Sequence, residues 1–326
     1  MLVGADAAAV AARSGPPRRD LVHVLSLGPA EDDLFRHALT LGASSVVELP
    51  EGERWLAGVL ADLGDDARAS GTVVALVAGS GGAGASTLAA ATALCAAGAS
   101  SATGPAPVAL LDLDPWGPGL ARLLGREVPV PGRGGGGTTV LGPDGGPVTW
   151  ADLAVSHGRL GARDLRTSLA PEDGVGVLGW GGPGSLRELP ATTVLREVVS
   201  AARRGHHWVV LDVPRHAAAD LASVTGCDHW LVVTRPGVAP VASASTVVGQ
   251  LRERGADVRL VVRGGVPGTV ARVLGIPLVA TLGRHRRLDE HLDLGLGPLH
   301  GRRNPLRAAA HEVLTSLAVH HGRADR

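Results

Sequence analysis

The chain has 326 residues, with 31 basic and 31 acidic side chains, 45% hydrophobic residues, 47 Gly and 22 Pro. This apolar content excludes a disordered protein, and the length suggests roughly two domains. Zero net charge and only 2% aromatic residues, with no Tyr, argue against a strong phosphate-backbone binder and against a stacking platform for single-stranded nucleic acid, so no specific nucleic acid is expected as a partner.

Residues 21–27 (LVHVLSL) read as a buried strand, followed by a helical stretch over 32–41 and a second apolar run over 45–49. A further helix over 52–63 leads into the polar segment GDDARASG at 64–71, a linker. Strand–helix–strand–helix order implies a small parallel α/β unit, taken as residues 1–66. From residue 72 the signals strengthen. TVVALVA (72–78) is a continuous strand run, GSGGAGAST (79–87) a Gly-rich turn, and 88–97 an Ala-rich helix. VALLDLD (108–114), HWVVLDV (207–213), DHWLVVT (228–234) and VRLVV (258–262) are further strands, with helices over 194–203, 242–254 and 305–317. Such Val/Leu runs alternating with helices predict, for residues 67–326, a mainly parallel sheet covered by helices on both faces. The stretch 130–149, with four consecutive glycines at 134–137, has no apolar period and reads as an insertion loop.

Cys95 and Cys227 lack metal-ligand or disulfide spacing and read as reduced thiols of a cytoplasmic protein. No apolar run is long enough to span a membrane. The histidines, His206, His207, His285, His291, His300, His311, His320 and His321 among them, show no zinc-ligand spacing and are expected at the surface.

The turn at 79–87 follows a strand and opens a helix, the setting of a phosphate-binding loop. There, glycines let successive amides face an anion and the helix N-terminus adds partial positive charge. In the pattern G-x-x-x-x-G-K-[ST], Gly79, Gly84 and Ser86 hold their places, while Ala85 stands where lysine belongs. A tight turn that binds nothing is the alternative reading. All 31 cationic side chains are arginine, with no lysine in the chain. Arg235, Arg263 and Arg284 each follow a strand on the ligand side of the sheet. They read either as solvated loop residues or as replacements for the missing cations.

GSGGAGAST resembles the deviant phosphate loop of the MinD/ParA superfamily, G-K-G-G-x-G-K-[ST]-T, with Ser80 in place of the first lysine and Ala85 in place of the second. LDLDPWGPGL (111–120) resembles the D-x-D-x-x-G switch segment, VVLDVP (209–214) the Walker B strand, and DHWLVVTRPGVAPVASA (228–244) the later strand and its turn. The resemblance implies a P-loop NTPase-like α/β fold over about 72–318, and within the superfamily it is nearest the CpaE/TadZ branch, including septum site-determining (Ssd) proteins. Residues 1–63 resemble part of a receiver domain, with Leu49-Pro50 where a receiver has Lys-Pro. The first strand and helix of such a domain are missing from the match, and the unit is expected to serve interaction and localisation.

The resemblance also implies the roles of single residues. Asp114 would position the attacking water. Asp212 would support Mg²⁺, and Ser86 would present a hydroxyl to it, with Asp114 near the metal. Gly79, Gly81, Gly82, Ala83, Gly84, Ala85, Ser86 and Thr87 would wrap the phosphates of ATP. Asp112 and Asp114 alternate at strand spacing and are expected to face one side as a metal pair or a polar strand end. Arg263 stands where the family places an adenine-reading Asn. With both lysines gone, phosphoryl transfer loses much of its electrostatic support, so hydrolysis is expected to be very weak or absent. The implied role is a positioning protein for septum site determination or for the Tad/Flp pilus and secretion apparatus, cytoplasmic and recruited to the pole or septum at the membrane's inner face. Its expected partners are a second copy of itself and division or secretion proteins. An active ATPase cycling between monomer and dimer, and a scaffold with a vestigial loop, are the other readings. MinD relatives bind membrane peripherally through a C-terminal helix. Here the terminal stretch has no aromatic or lysine anchor, and Leu306, Val313, Leu314 and Leu317 are expected to pack on the core.

Overall fold

The computed structural model describes residues 1–14, 22–53, 55–56, 71–101, 104–126, 148–154, 160–169, 171–181 and 188–324. The chain divides into two compact units, Met1–Gly64 and Asp65–Arg326. Most of the linker and of the insertion loop read from the sequence, and most of the helix over 52–63, lie outside the described residues.

In the first unit β1 (Leu2–Gly4), β2 (His23–Leu27) and β3 (Ser45–Leu49) form a parallel sheet in the order β1-β2-β3. The Asp32–Leu41 helix buries Leu34, Ala38 and Leu41, spaced so that they share one face. It stops at Gly42, whose φ of 66° lets the next amides close on its last carbonyls. The Ala5–Ser14 helix was not anticipated from the sequence. Only Ala8 on it is fully buried, so its alanine run carries no apolar stripe to read.

The second unit is built on β4 (Thr72–Ala78), β7 (Val108–Asp112), β8 (Val175–Leu178), β9 (Trp208–Val213), β10 (His229–Thr234), β11 (Val258–Arg263) and β12 (Leu278–Leu282). Two short segments, β5 (Ser100–Ser101) and β6 (Gly104–Pro105), pair antiparallel beside it. The main sheet has seven strands in the order β12-β11-β10-β4-β9-β7-β8, every neighbouring pair parallel. Alternation splits each strand between two cores. Val73, Ala75 and Val77 face the layer containing the Thr192–Gly205 and Val238–Glu253 helices, while Val74 and Leu76 face the Ala85–Ala97 and Pro305–Ala324 helices. The last helix lays Leu306, Ala309, Ala310, Val313 and Leu317 into that second core, with Leu314 at its margin. Edge strands β8 and β12 are the two the sequence did not signal. Gly176 interrupts the apolar run of the first, and the second buries only Ala280 and Leu282.

Among the described residues no helix is long and apolar enough to cross a membrane.

Candidate functional site

The strand order brings the C-terminal ends of β4, β9 and β7 side by side, with β10 and β11 on the far side of β4. The Gly-rich turn leaves β4 at the centre of this row. A Cβ on Gly79 would lie 2.8 Å from Ala244 Cβ and 2.9 Å from Val232 Cγ1, so only glycine passes here. The Gly79 amide donates to Val233 O at 2.8 Å, tying the turn to β10. Gly82 and Gly84 take φ values of 66° and 97°, the left-handed region, and deliver the chain into the Ala85–Ala97 helix. Ala83 and Ala85 are buried, Ser86 and Thr87 half-buried at the first turn, and Gly81 and Gly82 exposed. Ser80 is buried, its hydroxyl 3.5 Å from Thr234 Oγ1. The position of the signature lysine thus points into the sheet rather than outward.

On the β9 side, Asp212 lies directly opposite Asp112 in the β7–β9 register, and their relative exposures are only 3% and 2%. Burial, followed by the Asp112 charge, pushes the Asp212 carboxyl up to about 8; a hydrogen bond from the Ser86 hydroxyl pulls it down, and the charge of Asp114 adds a smaller push upward. Burial also raises Asp112 to about 6, against the pull of amides donated by Leu120 and Asp114, each at 3.1 Å. The carbonyl of Asp112 accepts the Trp150 indole N–H at 2.7 Å, which fixes the strand end from beneath. Two adjacent buried carboxylates with a serine hydroxyl on one of them are a hard-oxygen set suited to Mg²⁺.

Asp114 lies just beyond the strand that carries Asp112, and its charge acts on both Asp112 and Asp212. β7 ends at Asp112, and Asp114 begins a turn in which its Oδ1 accepts the Trp116 amide at 3.1 Å. Its side chain is half-buried, and its charge still reaches Asp212. Asp112, read from the sequence as one of a pair with Asp114, is the deeper of the two. Its greater depth follows from the strand's extent, since VALLD is a complete buried strand and leaves the following LD to the turn.

On the opposite side, Arg235 and Arg263 reach the turn from the ends of β10 and β11. Arg235 Nη2 donates to Gly81 O at 3.2 Å and Arg263 Nη1 to Gly82 O at 3.1 Å. A Cβ on Gly84 would meet Leu282 Cδ2 at 3.6 Å and then Arg263 Nη1 at 3.9 Å. Arg284 is exposed. Two of the three arginines are therefore gathered at the loop, and the third is not.

The histidines depart from the surface expectation at two of the positions considered. His206 is buried with Nδ1 2.9 Å from Ala202 O. His291 is buried edge-on between His285 and His300, with ring centroids 5.2 and 4.8 Å apart. The cause is amphipathic chemistry: a neutral imidazole has an apolar body and needs only a hydrogen bond or ring neighbours to enter a core. Among the described residues no three His, Cys, Asp or Glu side chains converge as metal ligands.

Residues 1–71 match the family described as Rv3660c-like, CheY-like N-terminal domain, in agreement with the receiver-like reading. Over 323 residues the chain is 36% identical to uncharacterized protein Rv3660c of Mycobacterium tuberculosis strain H37Rv, spanning 94% of this chain and 83% of the relative. Uncharacterized protein MT3760 of strain CDC 1551 matches to the same extent. The chain belongs to the Rv3660c family. Its fold is of the MinD/ParA P-loop type. A ParA family ATPase from Chlorobium tepidum superimposes with a TM-score of 0.57 at 16% identity, covering 76% of this chain and 98% of that one. MinD of Pyrococcus horikoshii, solved with Mg-ADP, gives 0.57 at 16% identity, with 76% and 95% covered. MinD in its complex with MinC from Aquifex aeolicus gives 0.54 at 15% identity, again with 76% and 95% covered.

Proposed function

We propose that this chain is a spatial regulator of the CpaE/TadZ (Ssd) type, acting in septum site determination or in placing a pilus or secretion apparatus, through self-association and partner binding rather than through turnover of ATP. The observation that carries this reading is the loss of both loop cations in a turn that otherwise keeps its shape. Ser80 is tucked against Thr234 and Ala85 is buried, so neither position offers charge to a transferring phosphoryl group. The residues that would hold Mg²⁺ are Ser86 and Asp212, with Asp112 beside them. When bound, the ion would neutralise phosphate charge and offset the repulsion between the two carboxylates. The chain's own contribution is to hold the loop: Gly79, Gly81, Gly82, Ala83, Gly84, Ala85, Ser86 and Thr87 would wrap the phosphates of ATP. Asp114, at the turn after β7, is the group that would orient water. Pairing of two copies through this edge is supported by exposed apolar side chains on it, Trp116 in the turn after β7 at 75% and Val238 at the start of the Val238–Glu253 helix at 91%. The first unit would serve as the docking module for division or secretion proteins, and recruitment to pole or septum would follow from that contact.

Removing one preorganised donor costs catalysis about 100–1,000-fold, so loss of two cations should leave steady-state phosphate release from Mg-ATP no faster than in Ser86→Ala. Robust hydrolysis by the unmodified chain, abolished in Asp114→Ala, would show instead an ATPase that cycles.

A further inference from the structure

Two guanidinium groups converge on the outer rim of the phosphate loop, and neither forms an ion pair with another described residue. Each guanidinium carries five N–H donors in a planar fork. The described contacts use one donor of Arg235, on Gly81 O, and one of Arg263, on Gly82 O. The remaining donors are available at the edge of a turn whose own amides open the Ala85–Ala97 helix. In a trans peptide the carbonyl and the following amide point opposite ways. An arginine holding the Gly81 carbonyl therefore leaves the Gly82 N–H facing away from that guanidinium. The arginines thus both hold loop carbonyls and stand beside the loop as cations.

Their origin matters as much as their charge. Arg235 and Arg263 come from strands on the β10 side, whereas the carboxylates Asp112 and Asp212 lie on the β9 side. The loop therefore has cations on one flank and a Mg²⁺-type oxygen set on the other, the charge pattern that a metal-bound polyphosphate carries in complement. Arg263 also ends β11 at the position where the family resemblance places its base-reading Asn, and its guanidinium is turned to the loop carbonyl instead.

We infer that Arg235 and Arg263 convert this loop into a polyphosphate site that recognises the phosphate chain and not the base. Two arginine forks take the place of the two lysines, from different strands. This deepens the reading of the loop as a nucleotide-derived site and rests on it. Guanidinium forks match phosphate oxygens bidentately, and both guanidinium groups are drawn to the loop carbonyls that would flank a phosphate chain.

The test is isothermal titration of the full-length chain, in Mg²⁺, with ATP, GTP, CTP and inorganic tripolyphosphate. The expected result is dissociation constants within about threefold of one another for the three nucleotides, with tripolyphosphate within about tenfold. Arg235→Gln and Arg263→Gln should each weaken every ligand about tenfold, and the lysine variants at the same positions, which keep charge but not the fork, should lose less. Thermal unfolding of each variant establishes that it is folded, and the lysine variants remain informative where a glutamine variant is not. A preference for ATP of more than about tenfold, unchanged binding in the double glutamine variant, or no binding of any of the four at about 1 mM overturns the inference. The last result would leave the positioning role standing on a vestigial loop, whereas rapid ATP turnover would overturn that role and leave the base-blind site intact.

Discussion

His206 shows how one buried side chain ties stability to pH. It is 5% exposed, and burial, partly offset by its hydrogen bond to Ala202 O and reinforced by the charge of Arg166, lowers it from 6.5 to about 4. Between those values the unfolded chain takes up a proton that the folded chain refuses. The unfolded state therefore binds more protons, and stability falls as pH drops from about 6.5 to about 4. The full span of the shift corresponds to about 3 kcal/mol as an upper bound. Replacing the ring by His206→Gln should flatten this part of the curve, read as urea unfolding midpoints at pH 7.0, 5.5 and 4.5. If the variant and the parent lose stability in parallel, the acid sensitivity comes from elsewhere, with His229 and His291, both also lowered by burial, the next groups to replace.

Among the elements, the entry into β4 is the most tightly constrained by backbone packing. The Gly71 amide donates to Arg203 O at 2.9 Å, at the end of the Thr192–Gly205 helix, and Thr72 N–H donates to His207 O at 3.0 Å. A Cβ at Gly71 would fall 1.9 Å from His206 O and 3.0 Å from Arg203 O, both backbone atoms with no rotamer to yield. Gly71→Ala should therefore destabilise the chain by about 2–4 kcal/mol, because the helix end and the strand start must separate. Chemical unfolding measures this directly, and a change within about 0.5 kcal/mol would mean that the junction is slack. The same strand carries the phosphate loop at its other end, so loosening this junction should also weaken any ligand held there.

At the scale of the whole molecule, the proposed pairing edge has a charge argument behind it. Bringing two cationic loops together without ligand is opposed by desolvation and repulsion. With Ser80 turned inward and Ala85 buried, that opposition falls to the two arginines at the rim. Association is expected to be insensitive to Mg-ATP. Gly81 is the position to obstruct, since a Cβ there meets nothing within 4 Å and its φ lies outside the left-handed region, unlike Gly82 at 66°. Gly81→Arg should convert dimer to monomer in sedimentation without unfolding the chain. A parent chain that stays monomeric at roughly 50 µM, with and without Mg-ATP, would move self-association away from this edge and leave partner binding to the first unit.

The sequence by itself determined the class of fold, the central strands and the phosphate-loop turn. These are local signals: continuous Val/Leu runs are what strands buried on both faces require, and a Gly-rich turn between strand and helix has few geometries open to it. It also determined the absence of lysine at the loop, which is a matter of identity alone. Only the tertiary structure decided which acid is deepest and which cations serve the turn. Asp112 meets Asp212 because β7 and β9, far apart in sequence, are neighbours in register. Arg235 and Arg263 meet Gly81 and Gly82 because β10 and β11 lie on the open flank of β4. The edge strands and the buried histidines escaped for the related reason that their burial is conferred by neighbours. A four-residue strand and a neutral imidazole acquire their places from what packs against them, and no pattern within their own segments records it.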